Sequence, residues 1–136
     1  MKVVIDTNVI AYFLLDTQPF AGEARSFLAK VTHGLAPALL EAELSNVTWL
    51  AIRAGVLPAE EGPRRLGLAN QLGVESVPLL SLSQGALQRS ILSGVAVCDT
   101  CFVELAVRER CPLATFDKAL WKAFPGVAVR PSAITR

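Results

Sequence analysis

Four acidic residues, Asp6, Glu43, Asp99 and Asp117, stand where carboxylates are out of place, and their positions define the chemistry open to this chain. Asp6 closes the run Val3-Val4-Ile5, three β-branched apolar residues that read as a short buried strand, so a charge sits at that strand's carboxyl end. Asp117 follows Pro112-Leu113-Ala114-Thr115-Phe116 in the same way. Glu43 lies in a helical stretch, and at about 100° per residue it shares a face with Leu39, Leu40, Val47 and Leu50, so it points inward, with Asn46 one turn away. Glu41 falls on the face of Pro37, Ala38 and Ser45 and reads as solvated. Asp99 follows Val95-Ala96-Val97-Cys98 and precedes an apolar helix, where its simplest role is an N-cap; the same applies to Asp117, and neither excludes a second role for the other oxygen.

Four carboxylates brought together would repel and push one another's pKa upward unless a divalent cation neutralised them. Oxygen-only ligands suit Mg²⁺ or Mn²⁺ rather than zinc. The single histidine, His33, is expected at the surface, so a histidine-based triad has no basis. Metal-assisted hydrolysis of a phosphate ester remains, in which the ion activates water and stabilises the leaving oxygen.

The elements that must position these residues follow from the pattern. Val9, Ile10, Phe13 and Leu14 recur at helical spacing after the first strand. Pro19 suits the first turn of a second helix with Phe20, Ala24, Phe27, Leu28 and Val31 buried and Gly34 past its end. Leu35-Ala36 reads as a small strand, and Pro37 opens a helix to about Ala54 that stops at Gly55. A fourth helix starts near Pro58, with Pro63 tolerated in its opening turns; residues 74–80 form an extended piece broken by Pro78; residues 81–93 form a helix ended by Gly94. Residues 99–110 are helical, with Glu104 and Arg108 as an i,i+4 pair, 112–115 a strand, 117–124 a short helix and 127–129 a last strand. Strands alternating with helices predict an α/β fold, a three-layer α/β/α sandwich with a mostly parallel central sheet. In such a sheet all four acids lie on one edge.

A length of 136 residues predicts a single domain, 1–136. The apolar fraction of 52% against 18% charged leaves apolar surface for a partner or a second copy, while a net charge of +1 gives no overall basic field. No run is long enough for a membrane span, and three cysteines do not make a secreted disulfide framework, so a cytoplasmic protein is expected.

Four stretches together resemble the PIN-domain ribonucleases, and within them the VapC-type toxins of toxin–antitoxin pairs. Val4-Ile5-Asp6-Thr7-Asn8 resembles the opening D-x-N strand end, Glu43-Leu44-Ser45-Asn46-Val47 the helical E-L-x-N-V element, Asp99 through Ala106 the D-x-x-x-x-x-L-A helix, and Leu113-Ala114-Thr115-Phe116-Asp117 the late L-x-T-x-D strand end. The resemblance implies metal and catalytic roles for Asp6, Glu43, Asp99 and Asp117, with Asn8 and Thr115 in support. It further implies an Mg²⁺- or Mn²⁺-dependent endoribonuclease, the toxin of its pair, an RNA substrate, a cognate antitoxin and a homodimer. Cys98 departs from the aromatic residue that relatives often carry there.

Three other readings compete. Cys98 and Cys101 form a C-x-x-C at a helix start, as in dithiol redox proteins, but this leaves Glu43 and Asp117 unexplained. Covalent phosphoryl transfer on Asp6 wants a carboxylate two residues on, where Asn8 stands. A catalytically silent fold that only binds RNA or protein has no need of all four acids. Trp49 and Trp121 read as partly buried core aromatics, and the Arg64-Arg65 and Arg108/Arg110 pairs as solvated helix faces.

Overall fold

The structure is a computed structural model and describes residues 1–134. At its centre β1 (Lys2–Ile5) carries Val3, Val4 and Ile5, all essentially without exposure, because neighbouring strands and helices cover both of its faces. It is flanked by β2 (His33–Pro37) and β4 (Leu113–Ala114), with β3 (Glu75–Val77) and β5 (Ala128–Val129) at the edges. Every pairing is parallel, and the order β3-β2-β1-β4-β5 is set by registers such as Val4 opposite both Leu35 and Leu113. The chain winds outward through β2 and β3, then returns to the other side of β1 for β4 and β5. The order therefore reverses between β1 and β4, the crevice where parallel sheets bind ligands.

Parallel pairing requires a crossover between successive strands, and the helices of these crossovers form the two outer layers. On one face α1 (Thr7–Leu14) packs on α2 (Ala21–Leu28), α3 (Leu39–Arg53) and α4 (Glu61–Asn70). On the other, α6 (Val97–Glu109) lies on β1 and β2 and is covered by α5 (Ser83–Ser93), with α7 (Lys118–Ala123) beside β5. The core between the layers is built from Val3, Ile5, Ile10, Leu35, Phe102, Leu105, Leu113 and Leu120. The three-layer α/β/α architecture expected from the alternating pattern is the one observed. No single helix among the described residues is long and apolar enough to cross a membrane.

Several boundaries differ from the sequence expectation for local reasons. Gly34 does not end α2 but lies inside β2; a Cβ there would stand 2.9 Å from Ile5 Cδ1, so the glycine serves close packing against the central strand. The second strand is thus five residues, ending on Pro37, and α3 begins two residues later. Pro63 is the third residue of α4, within its first turn, where a missing N–H costs nothing. Pro78 follows β3, an edge strand, and a 3₁₀ turn at Leu79–Ser81 comes next. Gly94 adopts φ 77°, the left-handed cap that stops α5. The helix after it begins at Val97, so Asp99 is its third residue and not its N-cap. Leu50 and Trp49, read as buried or partly so, are 48% and 51% exposed, because α3 buries Leu40, Leu44 and Thr48 instead.

Candidate active site

Asp6 is pinned between two strands. Its N–H donates to the Ala114 carbonyl at 2.9 Å, extending the β1–β4 ladder by one residue, and its side chain caps α1 by accepting from the Thr7 N–H at 2.7 Å. The other carboxylate oxygen accepts from the Thr115 hydroxyl at 2.7 Å. Thr115, wholly buried just past β4, is the hub of this edge: its hydroxyl oxygen also accepts from the Asp117 N–H at 3.0 Å and from Asn8 Nδ2 at 3.3 Å. Asn8 completes the link with Oδ1, which accepts from the Phe116 N–H at 3.2 Å. Asp117 caps α7 with Oδ1, accepting from the Ala119 N–H at 2.8 Å. The three long-range side-chain bonds, Thr115 to Asp6, Asn8 to Thr115 and Phe116 to Asn8, tie the end of β1 and the start of α1 to the end of β4.

Glu43 comes from the second turn of α3 and is half-buried; its Oε1 accepts from the Thr7 hydroxyl at 2.6 Å. Asp99 sits in the first turn of α6, where the helix dipole favours an anion. Its helix is locked by Thr100, fully buried, whose hydroxyl donates to the Ala86 carbonyl at 2.8 Å and lies 2.8 Å from Ser90 Oγ on α5.

All four acids line one open cleft of about 370 Å³, together with Thr7, Asn8, Tyr12 and Asn46. A larger cavity of about 590 Å³, lined by Leu40, Leu44, Leu66 and Val74 among others, lies between α3 and α4 and holds none of the four. The crowding has an electrostatic cost. Burial foremost pushes Asp6 up to about 7, with Asp99 and Glu43 adding to the rise and the bonds from Thr115 and Thr7 opposing it. Burial also raises Glu43, opposed by Thr7 and assisted by Asp99, and it raises Asp99, assisted by Asp117. A neighbouring acid contributes to each rise: Asp99 and Glu43 to that of Asp6, Asp99 to that of Glu43 and Asp117 to that of Asp99.

The donor set suits a hard cation: carboxylates and amide oxygens line the cleft, with no thiol or imidazole among them. As the side chains stand, no three Asp, Glu, His or Cys residues among the described residues close into a coordination group. The hydroxyls of Thr7 and Thr115 hold oxygens of Glu43 and Asp6 to themselves. The fit is therefore one of donor chemistry and a shared cleft, not of a preformed shell.

Other singled-out residues lie elsewhere. His33 is exposed beside Glu75 at 2.9 Å, far down β2 at its amino end. Cys98 is exposed and Cys101 buried, both as free thiols, and Cys111 precedes β4. Trp121 is half-buried and donates to the Thr115 carbonyl at 2.8 Å, whereas exposed Trp49 carries Arg53 4.9 Å above its ring. Arg108 joins Arg89 on Glu104, so it belongs to the α5–α6 packing and not to the cleft. Thr7 and Tyr12 were not assigned from the sequence; only the D-T-N context hinted at Thr7, and nothing local marked Tyr12.

A parallel three-layer α/β/α sheet with a carboxylate-lined cleft at its strand-order reversal defines the class. Within that class the chain belongs to the PIN domain family, whose family model matches residues 3–125. Solved structures share the fold: VapBC2 from Rickettsia felis bound to a promoter DNA fragment (TM-score 0.66, 12% identity, covering 96% of this chain and 98% of that one). A toxin–antitoxin complex from Klebsiella pneumoniae aligns with TM-score 0.62 at 20% identity, covering 96% and 98%. FitAcB from Neisseria gonorrhoeae aligns with TM-score 0.63 at 17% identity, covering 97% and 99%. A search of curated proteins finds no match.

Proposed function

We propose that this protein is a metal-dependent endoribonuclease that hydrolyses RNA phosphodiester bonds, the toxin of a toxin–antitoxin pair. The observation that carries this reading is the meeting of Asp6, Glu43, Asp99 and Asp117 in one cleft at the carboxyl edge of a parallel sheet. Such a group of acids is a liability to folding unless it has work to do. Those four residues would hold Mg²⁺ or Mn²⁺; the chemistry such an ion supplies when bound is a water of lowered pKa and positive charge opposite the phosphate.

The chain's own contribution is placement. Thr115 and the Thr7 N–H fix both oxygens of Asp6, so that group cannot rotate. Thr7 uses one oxygen of Glu43 and the α7 cap uses one of Asp117, leaving each with a second oxygen for a ligand. Asn8 spends both ends of its amide joining α1 to the β4–α7 segment, a brace and not the second acid that covalent phosphoryl transfer would want.

The toxin assignment draws support from family membership and from the shared fold of the toxin–antitoxin complex from Klebsiella pneumoniae. A homodimer and an antitoxin are proposed to cover apolar surface that includes Leu80, Ile91 and Leu92, each at least 73% exposed. A cytoplasmic location, and action as one domain, complete the reading. The test is RNA cleavage in Mg²⁺ by wild type, Asp6→Asn and Asp99→Asn, with circular dichroism to check folding. Loss of cleavage by at least about 100-fold in both variants is expected. Cleavage by both at the wild-type rate would overturn the site.

A further inference from the structure

The cleft lacks what usually draws a nucleic acid. No lysine or arginine lines it among the described residues, the four acids repel a phosphate backbone, and the chain's net charge of +1 offers no general attraction. Cations held by the acids can offset the repulsion at the reacting phosphate only. Affinity for the rest of the strand must come from another kind of contact.

Tyr12 supplies one. It lies on α1 one turn beyond Asn8 and lines the same cleft as the acids, half-buried. Its ring is not loose: Phe20 stacks on it at 4.8 Å and 19°, and Phe116, the neighbour of Asp117, meets both rings at 5.4 and 5.2 Å. The backing is itself fixed, since the Phe116 N–H is held by Asn8. The Tyr12 hydroxyl has no partner among the described residues, and no buried side-chain polar atom there lacks one, so that end of the ring reaches water. Phe20 stacks on the ring and Tyr12 lines the cleft, so a base entering the cleft would stack on the face opposite Phe20.

We propose that Tyr12 is a substrate-binding residue that stacks an unpaired base of the RNA being cut. A base inside a duplex has no free face to offer. Asn8 is committed to its brace, while Asn46, which lines the same cleft, makes no side-chain hydrogen bond among the described residues and has an amide for a base edge. The proposal rests on the hydrolytic reading for its substrate but not for its geometry.

The probes are a short single-stranded oligoribonucleotide carrying 2-aminopurine and the fully paired duplex of the same sequence. Tyr12→Leu, which keeps an apolar contact with Phe20, is expected to raise KM about 5- to 150-fold, the range that one lost base stack represents, with kcat changed little. Tyr12→Phe keeps the ring and is expected to stay near wild type. Binding of the strand to wild type quenches the 2-aminopurine, and the duplex competes at least about tenfold more weakly. Tyr12→Leu with unchanged KM and unchanged quenching overturns the proposal, and so does a duplex that competes equally with wild type, a measurement that holds even if the leucine variant does not fold. Quenching by a wild-type protein that cuts no RNA would instead leave the stack standing and sink the hydrolytic reading.

Discussion

Replacing Asp6 by asparagine should make the metal-free protein more stable, and increasingly so as the pH rises. Asp6 is 7% exposed, and burial lifts its carboxyl from the ordinary 3.8 to about 7. Between those two values folding takes up a proton at this group. The stability associated with its neutral form is whole below about pH 4 and is lost as pH rises through about 7. By about pH 8 the rise is worth roughly 4 kcal/mol of penalty on the folded state. Against this, asparagine still accepts from the Thr7 N–H as an N-cap but forfeits the strong acceptor for Thr115, at a cost of about 1–1.5 kcal/mol. The larger effect wins, and a net gain of about 2–3 kcal/mol is expected near pH 8, or roughly 10 °C in Tm for a chain of this length. Near pH 5 the two effects nearly cancel. Glu43 and Asp99, also raised by burial, impose further penalties of the same sign on both proteins. The assay is urea and thermal unfolding of both proteins in chelator at several pH values. A variant no more stable than wild type at pH 8, or a difference that does not grow with pH, would refute the account of Asp6 as a strained buried acid.

Three further outcomes follow from the same geometry. Adding Mg²⁺ to wild type at about a hundredfold excess over Kd should raise its stability by about 2.7 kcal/mol, and Asp99→Asn should lose most of that gain; equal gains in a titration of both would remove Asp99 from the cation's ligands. Gly85→Ala should destabilise by about 1–3 kcal/mol in urea unfolding, because the new methyl would lie 2.5 Å from Glu104 Cδ. Glu104 would then be driven from Arg89 and Arg108, which offset its burial and hold its pKa below the usual range; unchanged stability would show the side chain can move freely. Replacing Cys98 and Cys101 together by serine should leave RNA cleavage within about threefold of wild type, and loss of cleavage with the fold intact would revive the dithiol reading.

The strand ends and the inward acids are legible from local pattern alone. Val3-Val4-Ile5 before Asp6 and Leu113-Ala114 before Asp117 are legible because burial on both faces demands continuous apolar runs, and a carboxylate at the end of such a run has few explanations. The i,i+4 pair of Glu104 and Arg108 was legible from helical spacing, though Arg89 as third member was not. Whatever depends on distant residues meeting had to wait for the folded chain. Thr7 reaches Glu43 across 36 positions and Thr115 reaches Asp6 across 109, and neither bond has a periodicity to announce it. Gly34 looked like a helix stop until the side chain of Ile5 claimed its space. Tyr12 became a wall of the cleft only once Phe20 and Phe116 closed behind it. Local pattern records what a residue needs from solvent, whereas partnership is set by sheet order and helix layers, which no short window contains.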